Sequence, residues 1–170
     1  MKRILIVLLF GFMAIPSFSQ QTIGYLAPEL VVKDAYSSFG ATLFMPAMTN
    51  LSYGYAFGNG YGLRLTAGYY PELAAGFHLS GLKNLAKSEH FESNFSVAMG
   101  YRSVIKGTLN SSDDRNNAFH MGGFMDMNFY GIFLEAGLGY MSGDADDFTP
   151  MISDNIGIMF QLGYIYRFND

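Results

Sequence analysis

The C-terminal segment, residues 156–168, constrains the fold more than any other part of the chain. Its even-numbered positions, from Ile156 to Phe168, are all bulky and apolar, whereas its odd-numbered positions are mostly small or polar, with Ile165 as their one bulky aliphatic residue. Side chains alternate between the two faces of a β-strand, so one face of such a strand is wholly apolar. About thirteen residues is long for a strand in a soluble protein but enough for a tilted strand to cross a bilayer. The segment therefore predicts a membrane-spanning strand.

The same alternation recurs in seven earlier segments with consistent parity: residues 37–45, 51–57, 61–70, 73–80, 94–106, 118–128 and 131–141. Short connections at 58–60, 82–91 and 128–131 alternate with longer polar ones at 107–117 and 142–155, as in outer-membrane barrels whose short turns face the periplasm. No segment after residue 20 approaches about 18 continuous apolar residues, so no membrane-spanning helix is expected. The pattern predicts an all-β fold, an eight-stranded antiparallel up-and-down transmembrane β-barrel.

The beginning of the chain is typical of exported proteins. Lys2 and Arg3 precede an apolar run over residues 4–15, and small residues follow it, which indicates a secretory signal peptide over residues 1–20. Residues 21–36 are interpreted as an N-terminal periplasmic extension or the first strand, and residues 37–170 as the barrel. In the competing assignment residues 22–32 form strand one despite Pro28, and residues 37–49 become a long first loop.

Composition excludes several classes of protein. The chain has no cysteine, which rules out a lipid-anchored lipoprotein and a disulfide framework. It carries 10 basic and 14 acidic residues, and the signal peptide contains two of the basic ones and none of the acidic ones. An acidic mature chain argues against nucleic-acid binding.

The bulk of the two faces decides which of them meets lipid. The apolar face carries Phe, Tyr, Leu, Ile and Met, which is too much volume for the interior of an eight-stranded barrel. The other face carries mainly Gly, Ser and Ala with a few charges, too sparse to cover an outer wall in water. We therefore expect the aromatic face to contact lipid. The alternative is a soluble lipocalin-like barrel with the faces reversed.

Several charged residues fall on the predicted inner face. Charges enclosed in a lumen must pair, so we expect Asp126 and Glu135 to bridge to two or three arginines. The predicted lumen charge network comprises Arg64, Arg102, Asp126, Glu135 and Arg167, with Lys106, His78, His120 and Gln161 on the same face. A network of this kind can act as an ion gate or as a satisfied polar core, and the second interpretation is favoured because enclosed polar groups commonly form such networks.

Two weaker patterns concern catalysis and metal binding. His78-Leu79-Ser80 resembles in outline the His-x-Ser of lipid A deacylase barrels, but Gly81 follows where that family has Asn, and no acidic partner is evident. Asp144, Asp146, Asp147 and Asp154 have ligands suitable for calcium but lack an EF-hand spacing, and acidic loops are usually solvated. The sequence therefore predicts no catalytic residue, no cofactor and no metal site, and lipid A modification remains a minor alternative.

The end of the last strand resembles the C-terminal signal that outer-membrane barrels present for assembly. Gln161, Gly163, Tyr166 and Phe168 match its polar, glycine and two aromatic positions, and the departure is the Asn169-Asp170 tail. The mature chain as a whole resembles the small eight-stranded outer-membrane barrels typified by OmpX and the OmpA membrane domain, and the signal peptide resembles those of Bacteroidota.

The resemblance implies location in the cell outer membrane and contact with its lipid and lipopolysaccharide. It also implies periplasmic chaperones and the barrel assembly machinery as partners. The expected function is non-enzymatic: envelope integrity, or surface interaction with an extracellular partner through the loops. A narrow passive pore is the second hypothesis.

Overall fold

The computed structural model describes residues 35–70, 74–105, 115–143 and 150–169. The predicted signal peptide and nearly all of the predicted extension, including residues 22–32, lie outside these ranges. The division of the chain into these segments therefore stays a prediction.

Eight long strands form one closed antiparallel sheet. The strands are β1 (Tyr36–Phe44), β2 (Thr49–Phe57), β3 (Tyr61–Tyr70), β4 (Ala74–Lys87), β5 (Phe91–Ile105), β6 (Arg115–Phe129), β7 (Ile132–Ser142), the short β8 (Met151–Ser153) and β9 (Ile156–Asn169). Consecutive strands from β1 to β7 are neighbours, β7 pairs with β9, and β9 pairs with β1 to close the barrel, while the three-residue β8 pairs with the start of β9. The predicted eight-stranded up-and-down barrel is confirmed.

The first strand lies where the preferred assignment puts it. β1 pairs with β2 along one edge and with β9 along the other, over its whole length from Tyr36 to Phe44. A strand hydrogen-bonded on both edges is not a loop, so residues 37–44 are not part of a long first loop. The other part of the competing assignment, a strand over residues 22–32, lies outside the described residues.

The hairpin of β4 and β5 is longer than predicted. β4 continues to Lys87 and β5 begins at Phe91, so the expected connection over residues 82–91 shrinks to a turn at residues 88–90. The register shifts between Asn84 and Ala86, which marks a β-bulge. Polar side chains in this stretch obscured the alternation, although Phe91 has the same parity as Phe95 and Val97 of the predicted strand.

The two ends of the barrel differ in their connections. We call the turn end the one that carries the start of β1, the end of β9 and the tight turns at residues 58–60, 88–90 and 130–131. At the last of these turns Gly131 has a φ of +90°. The backbone N–H of Gly131 donates a hydrogen bond to the side-chain oxygen of Asn128 at 2.9 Å. We call the opposite end, which carries the other connections, the loop end.

The outer surface is apolar, and the interior is mainly small or polar apart from a few buried Phe and Met side chains. Along β3, Leu63, Leu65 and Tyr69 are exposed on the outside, whereas Arg64 and Thr66 are buried inside. This arrangement repeats around the barrel and matches the predicted facing, so the lipocalin-like alternative with its apolar residues inside is wrong. Within the described ranges, the chain has no helix that is both long and apolar enough to cross a membrane.

Candidate functional site

A buried ion cluster lies midway along the lumen, and three of the predicted residues form it. Asp126 on β6 and Glu135 on β7 are cross-strand partners, and like charges in such a position repel each other. Arg64 reaches both from β3: its Nη2 lies 2.9 Å from Asp126 Oδ2 and also pairs with Glu135 Oε2. All three side chains are at least 95% buried, and the Arg64 guanidinium stacks on the Phe133 ring at 4.5 Å. One arginine therefore neutralises the repulsion between two enclosed carboxylates.

Neutral side chains occupy the remaining oxygen atoms of the two carboxylates. Gln161 Nε2 donates to Glu135 Oε1 at 2.9 Å, and its own Oε1 accepts a hydrogen bond from Thr42 at 3.1 Å. Asn94 Nδ2 donates to Asp126 Oδ1 at 2.8 Å. The cluster thus ties together strands from every side of the barrel, which is what a polar core requires if its buried groups are to be satisfied.

A pair of stacked histidines extends the cluster. His78 Nδ1 lies 2.9 Å from His120 Nε2, and the two ring centroids are 5.2 Å apart. On its other side, His78 Nε2 is 3.1 Å from Glu135 Oε1, close enough for an ion pair but without hydrogen-bond geometry. Both rings are fully buried.

The other predicted arginines lie at opposite ends of the lumen. Arg102 is near the loop end, with Nη2 3.8 Å from Met141 Sδ. Arg167 is at the turn end, where it pairs with Glu92. In the described part of the chain, one arginine, Arg64, bridges Asp126 and Glu135, whereas two or three were expected. Lys106 lies outside the described residues. Whether the five predicted residues act together as a functional network stays a prediction.

A second ionic cluster closes the turn end, and the sequence did not predict it. Arg167 on β9 reaches across the mouth to the β4–β5 turn, where it donates to the carbonyl oxygens of Glu89 at 2.7 Å and Ser88 at 3.5 Å, and Nη1 lies 3.5 Å from Glu92 Oε2. Glu92 also accepts hydrogen bonds from Tyr36 on β1 and, at 3.0 Å, from Asn94. Tyr36 fell in the segment interpreted as an extension or first strand, and Glu92 fell between a predicted connection and a predicted strand, which is why this cluster was missed.

An apolar cluster closes the loop end. Its buried members come from the β1–β2 connection and from β5, β6, β7 and β9, and they are Met45, Ala98, Ala118, Phe124, Met141 and Met159. Met151 of β8 packs against this cluster. Pro46 and Ala47 of the same connection are also buried. Buried side chains therefore lie across the lumen near both ends and at its centre.

The predicted His-x-Ser motif forms no catalytic arrangement in the described residues. His78 and Ser80 both point into the lumen, but His78 contacts His120 and Glu135, and Ser80 Oγ has no hydrogen-bond partner among the described residues.

The carboxylates considered for calcium at Asp144, Asp146 and Asp147 lie outside the described residues, whereas Asp154 is exposed in the turn before β9. Within the described part, no group of three or more His, Asp or Glu side chains is placed to hold a metal ion.

The residues of the predicted assembly signal lie on β9 with their side chains on both faces. Gln161 is buried in the central cluster, while Tyr166 and Phe168 are exposed on the outer surface and stack edge to face at 4.9 Å. Gly163 faces inward opposite Thr42 of β1. Their role in assembly stays a prediction.

Eight closed antiparallel strands with an apolar outer face and a polar interior are the architecture of bacterial outer-membrane barrels. The fold is that of a small outer-membrane β-barrel. Among solved structures, the chain is similar to the N-terminal β-barrel domain of Pseudomonas aeruginosa OprF, with 10% sequence identity, a TM-score of 0.42, and coverage of 78% of this chain and 96% of that chain. No family model and no curated protein matches the sequence.

Proposed function

We propose that the protein is a non-enzymatic integral barrel of the cell outer membrane that serves envelope integrity or surface interaction through its extracellular loops. The observation that supports this most directly is the combination of an apolar outer face with a lumen that buried, paired side chains cross at its centre. Such a barrel holds its loops rigidly at the membrane surface, and loops on a rigid scaffold are where recognition usually occurs.

The proposed orientation follows from the connections. The turn end would face the periplasm and the loop end the outside, as in barrels of this architecture. Outer-membrane lipid and lipopolysaccharide would surround the apolar face, and periplasmic chaperones and the barrel assembly machinery would deliver the chain, the latter through Gln161, Gly163, Tyr166 and Phe168. An extracellular partner would meet mainly the longer loop-end connections after β5 and β7.

The proposal is tested with the mature protein refolded in detergent and in planar bilayers. The expected result is a compact band on an unboiled gel that shifts on boiling, together with bilayers that carry no sustained current. A stable open-channel current from the refolded protein would contradict the closed barrel and support the narrow pore instead.

The narrow passive pore remains the second candidate because the lumen is lined by polar side chains. Ser52, Thr66, Ser80 and Ser96 are all buried on the inner face. Conductance separates the two candidates, since a polar lining with a permanent central cluster passes no current, whereas an opening cluster produces discrete current steps. Lipid A modification has no supporting geometry in the described residues, because Ser80 Oγ has no hydrogen-bond partner and His78 Nδ1 lies against His120 instead.

A further inference from the structure

The connection between β1 and β2 folds into the mouth of the barrel instead of extending away from it. At Phe44, the last residue of β1, the backbone takes a φ of +82°, which is unfavourable for a bulky side chain. The next three residues, Met45, Pro46 and Ala47, are then buried, and Met45 joins the apolar cluster at the loop end. We call residues 45–47 the plug. Its inward path is obtained at the expense of local backbone strain.

One side chain holds the plug in place. Asn50, the second residue of β2, is 4% exposed and donates from Nδ2 to the carbonyl oxygens of Met45 and Ala47, both at 2.9 Å, and of Thr42 at 3.3 Å. Its Oδ1 accepts a hydrogen bond from the backbone N–H of Ala47 at 2.9 Å. The amide group of Asn50 therefore makes three hydrogen bonds to the plug and one to Thr42 of β1.

Polar atoms below the plug indicate that the lumen holds water. His120 Nδ1, Ser80 Oγ and Ser96 Oγ belong to fully buried side chains and have no hydrogen-bond partner among the described residues. Buried polar groups are normally satisfied, and internal water supplies the partner where protein does not. Internal water at these atoms would supply the missing hydrogen bonds.

The two ends are held by different forces. The turn end is closed by charged and hydrogen-bonded groups from β1, β5 and β9, with Lys87 Nζ also 4.0 Å from the centre of the Tyr36 ring. Among the described residues, the loop end carries the apolar cluster, the strained backbone at Phe44 and the Asn50 amide, with Arg102 beside Met141. The described contacts of the plug itself are apolar packing and the neutral hydrogen bonds of Asn50, which are weaker than the charge-assisted hydrogen bonds at the turn end.

We propose that the plug is hinged at Phe44 and swings out of the mouth, which admits water and small polar solutes to the outer half of the lumen. The Arg64 cluster stays in place beneath it, so opening creates a vestibule on the loop side without a continuous channel. This goes beyond the proposed function, which rests on the outer face and the closed centre and stands whether or not the plug moves.

The absence of cysteine from the chain permits a direct test by thiol labelling. Ala47→Cys places a thiol on the plug, where the native side chain is 2% exposed, and the probe is a small charged methanethiosulfonate applied to the protein refolded in lipid vesicles. Adding Asn50→Leu, which has a similar volume but no hydrogen bonds, is expected to accelerate labelling at least about tenfold, equivalent to about 1.4 kcal/mol.

The matched control is Asn128→Leu in the same Ala47→Cys background. Asn128 is another buried inward-facing asparagine, 5% exposed, but it bonds the β6–β7 turn and Ile165 at the turn end. The labelling rate of Ala47→Cys is expected to stay unchanged with Asn128→Leu. Heat-dependent gel mobility confirms that each variant is folded, and Met45→Ala, which weakens the apolar contacts of the plug, replaces any Asn50 variant that does not refold.

Two results would overturn the proposal. One is that the thiol at position 47 stays protected in folded Asn50→Leu and Met45→Ala proteins, which would make the plug a fixed part of the core. The other concerns Ala98→Cys, at the middle of β5 in the same apolar cluster as Met45 and also 2% exposed. In otherwise native chains, Ala98→Cys and Ala47→Cys would both lose protection at the rate of global unfolding. Labelling would then report unfolding of the barrel and not movement of the plug.

Discussion

At the scale of single residues, Arg64 carries the most consequential contact in the lumen. Replacing it with Met keeps much of its length but leaves Asp126 and Glu135 facing each other, buried and unpaired. Removing one partner of a buried ion pair typically costs about 3–5 kcal/mol. We expect the Arg64→Met barrel to lose that much free energy of unfolding, measured by urea titration of the protein folded into lipid vesicles.

Two further variants make this prediction specific. Adding Asp126→Asn and Glu135→Gln to Arg64→Met removes the stranded charges and is expected to recover most of the loss. Lys83→Met, which removes an exposed cation over the Tyr61 ring, is expected to change stability by less than about 1 kcal/mol. If Lys83→Met lowered the free energy of unfolding as much as Arg64→Met does, loss of any cation would destabilise the barrel. The enclosed Arg64 ion pairs would then have no special role.

The sequence predicted these residues for a physical reason that also explains what it missed. Parity along a strand places Arg64, Asp126 and Glu135 on the inner face, and enclosed charges must pair, so their meeting was predictable. Which arginine reaches the carboxylates depends on the height of each residue in the tilted barrel, and that height follows from the register between strands. The register is absent from a single-strand pattern, so which of the inward-facing arginines reaches Asp126 and Glu135 was not predictable from the sequence.

At the scale of elements, the extended β4–β5 hairpin explains how the turn end closes. The extra strand residues bring the turn at 88–90 within reach of Arg167 on β9, which binds its carbonyl oxygens. Arg167→Met removes these bonds and the ion pair with Glu92. Hydrogen bonds to a charged group contribute about 1.5–3 kcal/mol, so we expect faster hydrogen exchange at residues 86–92.

The exchange pattern distinguishes local from global effects. Amides at the centre of β6 and β7 are expected to keep their protection in Arg167→Met, because the Arg64 cluster is untouched. Uniform acceleration over all strands would instead mean that Arg167 supports the whole barrel. The length of this hairpin was not predictable from residues 82–91, since Lys83, Asn84 and Lys87 are typical of loops and are strand residues here because they pair with β5.

At the scale of the whole molecule, strand number, closure and facing were all predictable, because the bilayer imposes the same alternation on every strand. The plug and the two end closures were not, because they depend on side chains from non-adjacent strands that meet only after the barrel closes. The outer face is accordingly the part of the structure that most directly invites a quantitative test. Its defining property is that tolerance of a charge should depend on depth in the membrane.

Leu65 and Tyr61 give that test on one strand. Both point outward from β3, Leu65 near its middle and Tyr61 at its turn end. An arginine costs about 2–4 kcal/mol at the bilayer midplane and about 0–1 kcal/mol near an interface. We therefore expect Leu65→Arg to destabilise the folded barrel strongly and Tyr61→Arg to have little effect, both measured by urea titration in lipid vesicles. In detergent micelles, which lack a bilayer of fixed thickness, the difference should shrink. Equal costs at the two positions in vesicles would contradict a membrane-spanning orientation of β3, because only a depth-dependent environment separates two outward side chains on the same strand.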